Sequence, residues 1–120
     1  FIFNYYRKNL QNLKNIFFKK PPKYCKPVYW FSNLFTKDKE KLIKHLNNYN
    51  IQTREAFYPL NLQPCFKNTK IVKNINKNFK VSKKIFDTCI SLPSSYSLTI
   101  KELRYIVLII KKFYDKKHRS

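Results

Sequence analysis

The chain has 120 residues and a formal net charge of +20, from 26 Lys and Arg against 6 Asp and Glu, with no Gly and a single Ala. That length holds one small domain with a modest core. Its longest apolar run, Tyr105 to Ile110, is about a third of the ~20 residues that a membrane span requires, so a soluble protein with no membrane partner is expected.

In chain order, Tyr6, Leu10, Leu13 and Phe17 recur at helical spacing, with Ile2 and Phe3 on the same face, and predict an amphipathic helix over 1–18. Pro21 and Pro22 stop it, because neither can donate to a helix ladder, and a loop follows to about Pro27. Val28 to Phe35 is aromatic and rich in β-formers, and reads as a central strand covered on both faces. Thr36 is placed to cap the next helix, Asp38 and Glu40 sit in its first turn, and Leu42, Ile43, Leu46 and Tyr49 form its apolar stripe. With no glycine in the chain, Asn50 is the residue able to take the left-handed conformation that ends this helix, with Ile51 folding back onto it. A second strand is expected to begin near Ile51.

From Cys65 to Asn78 the Lys- and Asn-rich sequence has little periodicity and reads as a solvated loop or a short ragged helix. Phe79, Val81, Ile85, Phe86 and Cys89 make another helical face, and Ile90 to Leu92 before Pro93 is a short strand or extended exit. The best-specified element comes last. Thr99 and Glu102 have the spacing of a capping box, Leu98 is placed to staple onto Leu103, and Leu103, Ile106, Val107, Ile110 and Phe113 form a core-facing stripe. The Lys-rich tail, 116–120, is expected to fray. One domain over 1–120 accounts for all of this, with no internal repeat.

The three cysteines, Cys25, Cys65 and Cys89, are odd in number and widely spaced, with only His45 and His118 to join them. That argues against a metal site or a disulfide framework and fits a reducing, cytoplasmic setting. The positive charge is, on its face, the footprint of a nucleic-acid binder. Composition offers a blander cause: Asn, Lys, Ile, Tyr and Phe abound, as when A- and T-rich codons fill every tolerant position. Arg, whose planar fork nucleic-acid surfaces favour, occurs only at positions 7, 54, 104 and 119. A small basic nucleic-acid-binding or interaction module stands as the alternative reading.

One stretch concentrates groups able to orient a ligand. Arg54 suits a phosphate or carboxylate, Phe57 and Tyr58 a base or sugar ring, and Asn61 and Gln63 sugar hydroxyls, between the stiffening Pro59 and Pro64. The bland reading of the same residues puts Phe57 and Leu60 in the core, Arg54 on the surface and the prolines in a turn. Against it, Arg54, Ala56, Pro59 and Pro64 cluster here although the rest of the chain avoids residues with G- and C-rich codons. The Leu92-Pro93-Ser94-Ser95 segment is foremost a turn, and His45 on its Lys-rich helix reads as a solvated side chain. No nucleophile-base arrangement, carboxylate pair or glycine-rich phosphate loop is visible, so no catalytic residue is assigned and the chain alone is expected to be inactive.

The run Ile51 to Pro64, with Ser91-Leu92-Pro93-Ser94-Ser95 and Leu98-Thr99 downstream, resembles the C-terminal domain of the DegT/DnrJ/StrS family of sugar aminotransferases. The resemblance covers nearly the whole chain in order and spacing. It implies the small α/β (α+β) C-terminal domain of a fold type I pyridoxal-phosphate-dependent transferase, a small antiparallel or mixed sheet packed with helices. By the same resemblance, Arg54, Phe57, Tyr58, Asn61 and Gln63 would bind substrate. The cofactor, pyridoxal 5'-phosphate, would be held by a large domain upstream of Phe1, so that the chain is a piece of a longer one. A homodimer would pass an amino group from glutamate to a nucleotide-linked keto sugar, of the 4-keto-6-deoxy type, for polysaccharide or O-antigen synthesis. Four positions depart from the family pattern: Asn50 where glycine is usual, Glu55 where proline is frequent, Asn61 where histidine is common, and Lys84 in a usually acidic stretch. Of these Asn61 touches function, since it hydrogen-bonds a hydroxyl but cannot titrate near neutral pH.

Overall fold

In the computed structural model, which describes residues 1–67 and 79–117, helix α1 (Ile2–Leu10) turns Phe3, Tyr6 and Leu10 inward at helical spacing. The predicted helix over 1–18 ends there. Leu13 and Ile16 donate to carbonyls three residues back, and the chain then goes extended, so that Ile16 and Phe18 are buried while Phe17 between them faces out. The amide and carbonyl of Phe17 both bond Phe35, each at 3.0 Å. These bonds satisfy backbone groups on a neighbouring strand edge that continued helix would have left open, and so override the apolar period.

Strand β1 (Ser32–Phe35), strand β2 (Arg54–Glu55) and strand β3 (Cys89–Leu92) form an antiparallel sheet in the order β1-β3-β2. The expected central strand over 28–35 is thus corrected in two ways: only its last four residues pair regularly, and β3 is the middle strand. Val28 and Trp30 precede the ladder and are exposed. Every residue of β3 is buried, which is why Cys-Ile-Ser-Leu carries no apolar alternation.

Helix α2 (Lys39–Asn47) follows β1. Thr36 does not cap it directly. Its hydroxyl accepts from the Asp38 amide at 3.1 Å and shares a 2.8 Å hydrogen bond with the Tyr114 hydroxyl, tying the strand exit to the last helix. The expected exit from α2 is found: Asn50 has φ 57°, and the Ile51 amide bonds back to the Leu46 carbonyl at 3.0 Å. His45, expected in solvent, is half-buried, with Nε2 3.2 Å from the Ile109 carbonyl.

A 3-10 turn (Leu60–Leu62) and the short helix α3 (Pro64–Lys67) follow β2; the remainder of the segment read as a loop or ragged helix, 68–78, lies outside the described residues. Helix α4 (Lys80–Thr88) leads into β3. Helix α5 (Ile100–Lys117) starts on the expected capping box: the Thr99 amide donates to Glu102 at 2.7 Å and the Glu102 amide to the Thr99 hydroxyl at 3.2 Å. These bonds, the amide's first and then the hydroxyl's, hold the Glu102 carboxyl below the usual range. The helix continues through Lys117, and the rest of the tail read as frayed lies outside the described residues.

The core lies between α1, α2 and α5 and one face of the sheet, with Tyr6, Leu10, Leu34, Leu42, Leu46, Ile90, Leu103 and Ile110 fully buried. Each such side chain contributes roughly 1.5–3 kcal/mol over its exposed state. Two buried tyrosines carry polar ends into this core. Tyr6 donates to the Pro93 carbonyl at 2.9 Å, and burial raises its pKa far above the ordinary tyrosine value. Burial likewise pushes Tyr114 up to about 12, with Thr36 lowering it and Asp38 raising it.

Candidate functional site

At one end of the sheet the segment entering β1, the loop from α2 to β2, the exit of β3 and the first turns of α5 surround an open cleft of about 1270 Å³. That exceeds the ~300–1,000 Å³ common for small-molecule sites, leaving room for a ligand of several joined groups. Trp30 and Phe31 line one wall, Gln52, Thr53 and Arg54 the next, and Ser91 to Ser95 the floor; Glu102 and Tyr105 close the far side.

Among the described residues Arg54 is the only cation lining this cleft. It opens β2 directly across from Ser91, which in turn lies across from Asn33, so the three share one face of the sheet. Ser91 donates its hydroxyl to the Asn33 side-chain oxygen at 2.8 Å. Among the described residues Arg54 has no carboxylate partner. An exposed guanidinium beside hydroxyls and amides is suited to a phosphate or carboxylate, which it meets with two parallel N–H donors.

The other residues singled out in the sequence are placed differently. Phe57 is 83% exposed and meets Phe31 edge to face with ring centres 6.4 Å apart, so it borders the cleft without lining it. Tyr58 turns away and packs edge-on against Phe86 of α4 at 5.1 Å. Asn61 lies in the 3-10 turn, and the side-chain oxygen of Gln63 accepts from Cys65 Sγ at 3.8 Å; neither lines the cleft. The core placement considered for Phe57 and Leu60 does not occur, since both are exposed, while Pro59 is the buried anchor of the stretch.

Sequence reasoning missed Trp30 and Phe31. Trp30 is 75% exposed and stacks on Phe31 with ring centres 4.5 Å apart, so Trp30, Phe31 and Phe57 form a row of rings beside Arg54. A large exposed aromatic row marks a contact surface for a ligand or partner. No local signal marks Trp30 and Phe31, since Val28 to Phe31 carries the aromatic and β-branched residues that a buried strand would, and only the pairing of Ser32–Phe35 with β3 separates the two halves of the run. The turn expected at Leu92-Pro93-Ser94-Ser95 falls later: Leu92 ends β3, and the chain turns at 96–97, where the Leu98 amide donates to the Ser95 carbonyl at 3.1 Å; Ser94 donates to the Trp30 carbonyl at 3.2 Å, and the Ser95 and Ser97 hydroxyls bond each other at 2.8 Å. Among the described residues no cluster of His, Cys, Asp and Glu is arranged to hold a metal, and no helix is long and apolar enough to cross a membrane.

Comparison with known proteins supplies a context for the cleft. Residues 1–111 match the DegT/DnrJ/EryC1/StrS aminotransferase family. The chain is 30% identical over 115 residues to a GDP-perosamine synthase of Escherichia coli O157:H7, an alignment that covers 93% of this chain and 29% of that protein. Its fold is similar to PseC of Helicobacter pylori, an aminotransferase involved in the biosynthesis of pseudoaminic acid, with a TM-score of 0.80, 13% identity and coverage of 96% and 31% of the two chains. It is also similar to a DegT DnrJ EryC1 StrS aminotransferase from Brucella abortus, with a TM-score of 0.78, 18% identity and coverage of 94% and 29%. The chain therefore spans about 30% of the length of the relatives it matches.

Proposed function

Because the chain belongs to the DegT/DnrJ/EryC1/StrS aminotransferase family, we propose that it is the C-terminal small domain of an aminotransferase that moves an amino group from glutamate to a nucleotide-linked keto sugar. We take the sugar to be of the 4-keto-6-deoxy type and the product to feed polysaccharide or O-antigen synthesis, with the complete protein working as a cytoplasmic homodimer. The similarity to a GDP-perosamine synthase supports this choice. The observation that carries the reading is Arg54, a cation without a carboxylate partner among the described residues, beside the row Trp30, Phe31 and Phe57 in a cleft large enough for a sugar nucleotide.

In this reading Arg54 holds a phosphate or carboxylate of the bound substrates, and the aromatic row offers flat apolar surface to a base or sugar ring. The same rings keep water from the bound groups, which strengthens the charge pairing at Arg54. Asn61 and Gln63, farther along the loop, do not line the cleft, and their contact with the sugar hydroxyls stays a proposal that rests on the family resemblance.

Pyridoxal phosphate supplies the electron sink of amino transfer in such enzymes and needs a lysine for its attachment. Among the described residues no lysine lines the cleft, and the one buried lysine, Lys39, is committed to an ion pair with Glu55. These residues do not make a cofactor site, so no step on this chain is routed through the cofactor, which in our reading is held by another part of the longer protein.

The test is Arg54→Ala in the complete protein. It is expected to raise KM for the nucleotide sugar about tenfold or more, as loss of a charge-assisted contact does, while leaving cofactor absorbance intact. Unchanged kinetics would remove Arg54 from the site.

A further inference from the structure

Strand β2 has two residues, pairs on one side only among the described residues, and yet carries Arg54. Two ladder positions at a sheet edge fix register weakly, and a slip of one residue would exchange the faces of Arg54 and Glu55. What opposes the slip is on the page. Glu55 lies in register with Ile90 and Leu34, both of which face the core, and its carboxylate meets the Lys39 ammonium at 3.0 Å. The Lys39 side chain is only 6% exposed. Its ammonium also donates to the Phe86 carbonyl at 2.6 Å and sits 4.2 Å from the centre of the Phe86 ring. One cation thus joins the first turn of α2, the edge strand and the end of α4.

We propose that the Lys39–Glu55 pair is a positioning brace that locks the register of β2 and thereby aims Arg54 into the cleft. Neighbouring strand residues point to opposite faces, so anchoring Glu55 on the helix side leaves Arg54 only the cleft side. A slipped strand would present Arg54 to Lys39, cation to buried cation, and leave Lys39 without its carboxylate, so the alternative register is penalised as well as the native one favoured. Arg54 touches the substrate in the function proposed above, and the catalytic consequence of the brace rests on that reading; the brace itself does not.

The register is read directly by a disulfide. Residues directly opposed in an antiparallel pair have Cα atoms about 4.5–5.5 Å apart, within reach of a bridge, so Arg54→Cys with Ser91→Cys should cross-link in the native register and not in a slipped one. In the complete protein, with Cys25, Cys65 and Cys89 replaced by Ala, adding Glu55→Gln should slow formation of the 54–91 bridge about tenfold, the factor given by about 1.4 kcal/mol of register preference. With Glu55 kept, Lys39→Arg, which keeps the charge, should bridge at a near-parental rate, and Lys39→Met should match Glu55→Gln. Bridging as fast in Glu55→Gln as in its parent overturns the brace. Glu55→Gln alone should raise KM for the nucleotide sugar with kcat little changed. Slowed bridging together with an unmoved KM would uphold the brace and overturn the substrate role of Arg54.

Discussion

On the face of the sheet covered by α1, α2 and α5, Tyr6, Leu10, Leu42, Leu103 and Ile110 are wholly removed from solvent, whereas α4 and the stretch from Phe57 to Leu62 leave Phe57, Leu60, Val81 and Ile85 exposed. Both regions are rich in large apolar residues, so composition does not separate them. The first is a closed core whose side chains touch one another. The second is a surface, whose apolar side chains are open to contact. Apolar residues therefore serve packing in one half of this small domain and contact in the other.

Ile90→Ala strikes the closed half at its centre, where β3 is flanked on both sides. It should destabilise the protein by about 2–5 kcal/mol in urea unfolding, the range for a truncated buried aliphatic. Phe57→Ala, a larger deletion in volume, should cost no more than about 0.5 kcal/mol because its ring is already in water. A large loss of stability on removing Phe57 would erase the distinction between the halves.

The buried hydroxyl that links α5 to β1 is the next largest lever. Tyr114→Phe leaves the Thr36 hydroxyl short of a partner and should cost about 1–3 kcal/mol near neutral pH. Its pH dependence has a definite sign. Folding raises the Tyr114 pKa from 10.0 to about 12, so the folded state holds this proton more tightly than the unfolded one. The stabilisation is complete below about pH 10 and is lost as pH rises toward 12. Thermal melts between pH 9 and 11.5 should fall less steeply for Tyr114→Phe than for the parent; parallel curves would count against the buried hydroxyl. Tyr6 adds a slope of the same sign in both proteins.

The smallest effect lies where the two halves join, at the exit of α2. Asn50→Ala places a Cβ-bearing residue without the Asn side chain at φ 57° and should cost about 1 kcal/mol, while Asn50→Gly should be neutral or slightly stabilising. Equal stability of the two variants in urea unfolding would show that the left-handed residue is not under strain.

Elements governed by neighbouring residues were legible in the sequence. The capping box at Thr99, the stripe of α5, the left-handed Asn50 with Ile51 folding back, and the existence of a third strand before Pro93 all depend on groups within a few positions of one another. The misreadings share a cause of the opposite kind. The period over 1–18 was real, but Phe17 found an edge strand 18 residues away, and the run 28–35 was apolar because half of it is exposed for contact rather than buried.

The candidate site divides along the same line. Sequence marked Arg54 through the company it keeps, but nothing local could say that Tyr58 turns toward Phe86, or that Trp30 stands in the wall of the cleft. By itself the sequence determined the family, the helical faces, the caps and the arginine, because periodicity and capping act over a turn or two of chain. Tertiary structure alone decided which strand is central, which aromatic rings face the cleft and which face of a two-residue strand carries Arg54, because each of these is set by a partner many residues distant, Ile90 for the sheet and Lys39 for the strand.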